Sequence, residues 1–220
     1  MSYLFMEKPF QDAGYSTERP FEEILLVRDF LSKEELEDVW NIINNTSEEE
    51  WSKAYRESLA RFCLEKFGRD DVENLVAEGK YEITVGWDDK NLDITSYPIS
   101  RILQSRFHEL LFQMDPTLEL AGFATLQRMQ EGVQLKSHTD QHTDPSIKYA
   151  AILYLNDDYK DGTLFFKNKD IDLRPKPGEL LVFPGNEEYE HGVRHVGAGP
   201  IRYVLVGFIK VKNFYENNKY

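Results

Sequence analysis

The feature that most constrains this 220-residue chain is a run of short strand-like segments in its second half. The segments are rich in Val, Ile, Leu, Phe and Tyr, and they cover 120–129, 148–155, 163–167, 179–183, 192–196 and 202–211. Turn residues separate them, for example Asn156-Asp157-Asp158 and Gly197-Ala198-Gly199-Pro200. Several short strands at such spacing predict a β-sandwich or a jelly roll.

The first half has a different pattern, in which apolar residues recur at helical spacing. Ser32, with Glu35 three residues later, predicts a capping box and a helix that ends near residue 45. Further helices are predicted from Ser47, over 70–78 and over 99–112, and strands over 24–30 and 81–85. The helix over 99–112 has the apolar stripe Ile102, Leu103, Phe107, Leu110 and Leu111. We therefore predict an α+β fold in one domain: mainly helical support with one or two strands (1–115), a jelly-roll core (116–212) and a tail (213–220).

Composition excludes several classes of protein. Hydrophobic residues make up 41% of the chain, which excludes global disorder. A formal charge of −13, with no basic cluster, disfavours a nucleic-acid partner. Cys63 is the single cysteine, so an internal disulfide is excluded, and it is most simply a small buried hydrophobe. The N-terminus lacks signal-peptide features, and no window approaches the ~18–20 apolar residues of a membrane span. We expect a cytoplasmic protein without a membrane partner.

Two consecutive His-x-Asp triplets, His138-Thr139-Asp140 and His142-Thr143-Asp144, indicate a metal site. In an extended segment, residues i and i+2 project to the same side and can present an imidazole and a carboxylate to one cation. A histidine from a distant strand would complete a facial triad, the arrangement typical of non-haem Fe(II) oxygenases. The candidates for that position are His191 and His195, whereas His108, on a helix, is interpreted as structural.

The surrounding motifs extend this pattern. His138 follows Gly132 by six residues, and Arg202 follows His191 by eleven. The Tyr154-Leu155-Asn156-Asp157 strand end, Gly162-Thr163-Leu164 and a Pro-rich turn before 178–183 lie between them. Over residues 120–211 the chain resembles the 2-oxoglutarate- and Fe(II)-dependent dioxygenases, most closely the prolyl 4-hydroxylase-like branch. The resemblance implies a double-stranded β-helix.

The resemblance also assigns roles to residues. It implies that His138, Asp140 and His191 bind Fe(II), and that Arg202 holds the far carboxylate of 2-oxoglutarate. By similarity to relatives with a Tyr-Leu-Asn strand end, Tyr154 is expected to donate its phenolic hydrogen bond to the same carboxylate. The alternative is that Tyr154 is a core tyrosine. If 197–200 is a hairpin turn that pairs Val196 with Ile201, Arg202 and His191 both point into the barrel. Ascorbate is a further candidate cofactor, and O2 the oxidant.

The sequence leaves alternatives open for the metal ligands, the subfamily and the role of Trp87. His142 and Asp144 form a second candidate metal pair, although His142 follows Gly132 by ten residues and is expected to line the entrance. Met129, Ala150 and Asp161 depart from residues common in the family, which weakens any assignment to a subfamily. Trp87 is either a substrate-loop or a core residue.

The predicted function is hydroxylation of an unactivated C–H bond, with release of succinate and CO2, on a prolyl residue of a peptide or protein. Hydroxylation of a free amino acid or another small metabolite is the rival within the class. A peptide would need an open groove flanked by loops such as 86–97 and 141–147. A zinc hydrolase with the same ligands and a non-catalytic jelly-roll metal-binding module are the alternatives from other classes. Arg202 would lack a purpose in the hydrolase.

Overall fold

The computed structural model describes residues 4–51, 64, 68–79 and 90–217. The helices are α1 Leu4–Asp12, α2 Lys33–Asn45, α3 Val72–Ala77, α4 Pro98–Met114, α5 Asp140–Thr143 and α6 Phe214–Asn217. The strands are β1 Thr17–Phe21, β2 Ile24–Val27, β3 Lys90–Asp93, β4 Leu118–Met129, β5 Leu135–His138, β6 Ile147–Tyr154, β7 Leu164–Phe166, β8 Ile171–Leu173, β9 Leu180–Pro184, β10 His191–Val193 and β11 Arg202–Val211. The predicted strand over 81–85, Cys63, Trp87 and the body of the helix predicted from Ser47 lie outside the described residues.

The strands form two antiparallel sheets. The larger has seven strands in the order β1-β2-β9-β6-β11-β4-β3, and the smaller has four in the order β5-β10-β7-β8. Strands that are consecutive in the chain therefore often lie in different sheets, as in a jelly roll. This confirms the predicted α+β fold with a double-stranded β-helix.

Side-chain alternation along the larger sheet separates two cores. On β6, Tyr154 and Ile152 belong to a core that also contains Phe166 and Val193 of the smaller sheet. Leu153, between them, faces a second core shared with the helices. Successive residues of a strand point to opposite faces. One face of this sheet therefore lines the barrel, and its other face packs against the helices.

The helices cover the outer face of the larger sheet. Helix α2 begins with the predicted capping box: the Ser32 side chain accepts from Glu35 N, and the Glu35 carboxylate accepts from Ser32 N. Helix α4 places Leu103 and Phe107 in the outer core. Ile102 is 46% exposed, so its predicted place in the apolar stripe is wrong; Ile99 and Met114 extend the stripe instead.

One predicted register is wrong. β10 pairs with β5 and β7, whereas β11 pairs with β4 and β6, so Val196 does not face Ile201 across a hairpin. The segment 197–200 instead carries the chain from the smaller sheet to the larger one. That register therefore cannot be the reason that Arg202 and His191 point inward, although both side chains are buried.

The strands that the sequence patterns did not reveal are β1, β3, β5 and β8, which are short or rich in polar residues. Lys90 and Asn91 were predicted to lie in a loop, and they begin β3. Within the described ranges, no helix has both the length and the apolar character needed to cross a bilayer.

Candidate active site

The predicted histidines lie opposite each other on neighbouring strands. His138 ends β5 and His191 begins β10, and the two residues are direct partners in the antiparallel pairing. Their ring centroids are 4.5 Å apart. A Cβ on Gly192 would lie 2.5 Å from the carbonyl oxygen of Leu135. Glycine after His191 therefore lets the two strands approach closely enough to bring the imidazoles together.

Asp140 completes the group from the first turn of α5 rather than from an extended strand. Its Oδ1 lies 3.7 Å from His138 Nε2, and its Oδ2 lies 3.9 Å from His191 Nε2. One ligand atom from each of the three residues falls within 4.8 Å of the others. Behind the carboxylate, a Cβ on Gly185 would lie 3.2 Å from Asp140 Cβ, so a glycine there leaves room for this position.

Hydrogen bonds hold both imidazoles in one orientation. Nδ1 of His138 lies 3.0 Å from the carbonyl oxygen of Lys136, and Nδ1 of His191 lies 3.0 Å from that of Tyr189. A carbonyl oxygen only accepts, so each Nδ1 carries the proton and donates it. Each Nε2 then offers a lone pair toward Asp140, which is the tautomer that a metal ligand needs.

Burial shifts the pKa values of His191 and Asp140, in each case toward the neutral form. It lowers the pKa of His191 to about 3, which keeps that imidazole neutral at ordinary pH. It raises the pKa of the Asp140 carboxyl, because a buried carboxylate without a countercharge is unfavourable. Asp140 Oδ2 has no hydrogen-bond partner within the part of the chain that the structure describes. The neutral imidazole of His191, the imidazole of His138 and the buried Asp140 carboxylate form a set of donors that fits a divalent cation.

The other histidines and the second triplet are placed elsewhere. Asp144 accepts hydrogen bonds from Ser146 and Tyr215 and pairs with Lys210 at 2.8 Å, so its carboxylate is already engaged. His142 is exposed beside His138, at the entrance, as predicted. His195, the alternative to His191 as third ligand, lies beyond the end of β10 at Val193 and is exposed. His108 is exposed on α4.

Arg202 is a buried cation inside the barrel. It is 1% exposed, its Nε has no hydrogen-bond partner among the described residues, and no carboxylate in those ranges pairs with it. Its nearest polar contacts are long: Nη2 donates to Tyr154 Oη at 3.4 Å, and Nη1 lies 3.5 Å from Met129 Sδ. A buried guanidinium without an anion is costly, so this arrangement fits a ligand carboxylate.

Tyr154 lies on the inner face of β6, in contact with Arg202. It is completely buried, and its pKa is raised to about 12, chiefly by burial. Its phenol therefore keeps its proton and can donate it. The guanidinium of Arg202 also lies 5.2 Å from the Tyr154 ring centroid.

Asn156, at the Tyr-Leu-Asn strand end, forms hydrogen bonds with the backbone next to Arg202. Asn156 Oδ1 accepts from Tyr203 N at 2.8 Å, and its Nδ2 donates to the Ile201 carbonyl at 2.7 Å. These bonds hold the backbone on both sides of Arg202. The motif therefore places the tyrosine and the arginine relative to each other.

Tyr159 is a residue of this region that the sequence reasoning missed. It is 1% exposed, and its ring centroid lies 5.8 Å from the guanidinium carbon of Arg202. Tyr159 follows the polar turn residues Asn156-Asp157-Asp158, so the sequence pattern gave no indication that its side chain is buried beside Arg202. The signal available in the sequence was an aromatic residue among turn residues, five positions after Tyr154.

A groove of about 820 Å³ opens beside the histidine cluster. His138, His142, Asn168, Glu187, Glu188 and Glu190 are among the residues that line it. His138 thus connects the cluster to the surface, while Asp140 and His191 lie behind it. A molecule seated in the groove would therefore meet His138.

Comparison with known proteins finds similarity over the segment that carries this geometry. Residues 124–210 match the family model of the 2OG-Fe(II) oxygenase superfamily. Prolyl 3-hydroxylase 3 from Mus musculus is 41% identical over 56 residues, which are 23% of this chain and 8% of the mouse protein. The chain thus spans a small part of that relative's length.

Solved structures share the fold. A prolyl hydroxylase from Trichoplax adhaerens, in complex with a hypoxia inducible factor peptide fragment, has a TM-score of 0.61 at 14% identity, covering 99% of this chain and 93% of that one. The viral collagen prolyl hydroxylase of Paramecium Bursaria Chlorella virus-1 has a TM-score of 0.57 at 14% identity, covering 86% and 96%. A Pseudomonas putida prolyl-4-hydroxylase has a TM-score of 0.55 at 17% identity, covering 94% and 99%.

At these identities the structural likeness establishes the fold alone, and the family match rests on residues 124–210. That segment contains the three clustered residues and both Arg202 and Tyr154. Over this segment the chain is similar to the 2OG-Fe(II) oxygenase superfamily, in agreement with the resemblance to 2-oxoglutarate- and Fe(II)-dependent dioxygenases drawn from the sequence motifs.

Proposed function

We propose that this protein hydroxylates an unactivated C–H bond, on a prolyl residue of a peptide or protein, with Fe(II) bound by His138, Asp140 and His191. The observation that carries the proposal is the convergence of those three ligand atoms within 4.8 Å. Arg202, which no carboxylate of the described residues neutralises, lies buried in the same barrel and supports it, because a zinc hydrolase or a binding module would not need that buried charge.

When bound, Fe(II) and 2-oxoglutarate would supply the oxidative chemistry, in which decarboxylation to succinate and CO2 is coupled to insertion of one oxygen atom of O2 into the C–H bond. Ascorbate, as a reductant, and a cytoplasmic location belong to the same proposal; the first rests on the family resemblance and the second on cysteine usage.

The chain's own residues would bind, orient and shield. The carbonyl groups of Lys136 and Tyr189 fix the imidazole tautomers, so that both Nε2 atoms face the ion. Arg202 attracts the far carboxylate of the cosubstrate, and the protonated Tyr154 donates to it. Buried apolar residues around them, such as Phe183 and Val204, keep water from the barrel interior.

A peptide substrate is favoured over a free amino acid by two considerations. The groove beside His138 is open to the surface rather than enclosed, which suits a peptide better than a closed pocket would. The Trichoplax relative was solved with a peptide fragment, and the viral and mouse relatives are named as prolyl hydroxylases. Hydroxylation of a small metabolite is the rival that the substrate experiment must separate.

The first experiment is an anaerobic titration of the Fe(II)-loaded protein with 2-oxoglutarate, followed by the visible metal-to-ligand charge-transfer band. The band should appear in the wild type. Arg202→Ala should raise the Kd for 2-oxoglutarate by about a hundredfold or more, because it removes the buried charge that pairs with the carboxylate. Fe(II) affinity should stay nearly unchanged.

Arg194→Ala is the matched control for that variant. Arg194 is an exposed arginine on the outside of the smaller sheet, paired with Asp172, and its loss should leave the titration unaltered. Absence of the band in the wild type, with metal verifiably bound, would move the assignment to the hydrolase or to the non-catalytic module.

The second experiment addresses substrate. Proline-containing peptides and free proline are incubated separately with protein, Fe(II), 2-oxoglutarate and O2, and succinate and a 16-Da mass increase are measured. Succinate coupled to hydroxylated peptide supports the proposal. Coupled turnover with free proline alone would favour the small-metabolite function.

A further inference from the structure

Tyr159 has a buried hydroxyl group whose hydrogen bonding is unexplained. The residue is 1% exposed, and its Oη has no hydrogen-bond partner among the described residues. Buried tyrosine hydroxyls normally have a partner, because an unpaired polar atom in an apolar interior costs free energy. The position therefore points to a group that is not part of the protein.

The neighbouring atoms indicate the chemistry of that group. Tyr159 lies beside the Arg202 guanidinium, whose Nε also has no partner in the part of the chain described. Tyr154 Oη accepts from Arg202 Nη2, which leaves the phenolic hydrogen of Tyr154 available to donate, and Met129 offers only a weakly accepting thioether. The surroundings thus consist of donors around a cation, which is complementary to an anion with several acceptor oxygens.

The Tyr159 ring is held in place from outside the barrel. Arg174 Nη1 donates to the Tyr159 carbonyl at 3.0 Å, and its guanidinium carbon lies 4.9 Å from the ring centroid. On another side, a Cβ on Gly162 would lie 3.2 Å from a ring carbon. The ring can therefore turn little, and its hydroxyl is presented in a constant place.

We propose that Tyr159 binds the cosubstrate, by donating its phenolic hydrogen bond to the same 2-oxoglutarate carboxylate that Arg202 pairs with. This inference rests on the proposed function. A carboxylate has about four acceptor sites. A bidentate Arg202 would fill two, Tyr154 the third and Tyr159 the fourth, so that the buried anion is fully satisfied. Tyr159 then contributes selectivity for a 2-oxo acid with a second carboxylate.

The test is Tyr159→Phe, which keeps the ring and its packing and removes only the hydroxyl group. In the anaerobic charge-transfer titration, the Kd for 2-oxoglutarate should rise about tenfold, as expected for a hydrogen bond to a charged group. Fe(II) affinity should not change. The affinity for 2-oxopentanoate, which has the same chain length without the second carboxylate, should also stay the same.

Tyr15→Phe is the matched control. Tyr15 is a partly buried tyrosine in the outer core, with its ring 5.4 Å from that of Phe30, and its loss of a hydroxyl should affect neither titration. Far-UV circular dichroism and thermal unfolding of each variant verify that the fold is retained.

The outcomes separate this inference from the proposed function. Wild-type binding of 2-oxoglutarate together with an unchanged Kd in Tyr159→Phe would overturn the role of Tyr159 and leave the function standing. An equal loss of affinity for both 2-oxo acids would also overturn it, because the hydroxyl would then act away from the second carboxylate. Failure of the wild type to bind 2-oxoglutarate would instead contradict the function itself.

Discussion

The two His-Thr-Asp triplets have the same sequence and begin four residues apart, yet they occupy opposite environments. Asp140 is buried with an oxygen that is unpaired among the described residues, and burial raises its pKa. The Asp144 carboxyl is engaged by Lys210, Ser146 and Tyr215, and these hydrogen bonds hold its pKa well below its usual range despite the opposing effect of burial. The carboxylate of the first triplet is thus available to a cation, whereas that of the second is already bound by protein groups.

The comparison teaches that a His-x-Asp motif is a candidate metal site only where neighbouring groups do not already bind its carboxylate. His138 has a strand partner, His191, that places a second imidazole beside Asp140. His142 lies on a helical turn at the surface, without such a partner strand. The same three letters therefore form a candidate metal site in one case and a loop anchor in the other.

The largest expected effect separates the triplets directly. His138→Ala or Asp140→Ala should weaken Fe(II) or Mn(II) affinity by more than about a hundredfold, since even partners outside the ligand shell are worth about 10–100-fold. His142→Ala and Asp144→Ala should change it little. Metal content after dialysis, measured by mass spectrometry, checks this. Loss of metal in His142→Ala with retention in His138→Ala would reverse the assignment.

A smaller effect is expected when the space behind Asp140 is filled. In Gly185→Ala the new methyl group lies 3.2 Å from Asp140 Cβ and 3.1 Å from a methyl of Ile147, so the carboxylate must shift. We expect metal affinity to fall about tenfold, the scale of support from outside the ligand shell. Isothermal titration with Mn(II) measures it, and unaltered affinity would show that Asp140 tolerates displacement.

The smallest expected effect concerns Asp144 and appears in stability. Asp144→Ala removes the interactions with Lys210 and Tyr215, and should lower the free energy of unfolding by about 1–2 kcal/mol at neutral pH. Because the folded-state pKa of Asp144 is depressed, its contribution is present above the unfolded value of about 3.9 and is lost as the pH falls through the folded value.

Urea unfolding of the metal-free proteins at several pH values measures this difference. The stability gap between wild type and Asp144→Ala should be constant near neutral pH and shrink in acid. Asp157→Ala, which removes an exposed carboxylate in a turn, is the control and should show no gap. A gap that widens in acid would contradict the role given to Asp144.

Much of the fold was predictable because its signals are local. The capping box at Ser32, the long helix before residue 115 and the strand over 202–211 all follow from residue spacing and turn chemistry. β5 and β8 were not predictable in this way, since each is short and mixes polar with apolar residues. Pairing with neighbouring strands makes them strands.

The candidate site was predictable in identity but not in assembly. His138, Asp140, His191 and Arg202 were assigned from motif spacing together with the family resemblance, and the structure brings the first three together. The assumed hairpin between β10 and β11 was wrong, because a jelly roll sends consecutive strands to different sheets. Tyr159 could not be assigned from spacing, because its importance comes from contact with Arg202, 43 residues later.

The amino-acid sequence by itself determined the order of helices and strands, the acidic surface and the set of residues available for metal and carboxylate binding, because each depends on local spacing or composition. Only the tertiary structure decided which of two identical triplets keeps its carboxylate unpaired, and which buried cation and phenols share one enclosed space. Those outcomes depend on burial and on partners distant in the chain, which set the cost of leaving a polar atom unsatisfied.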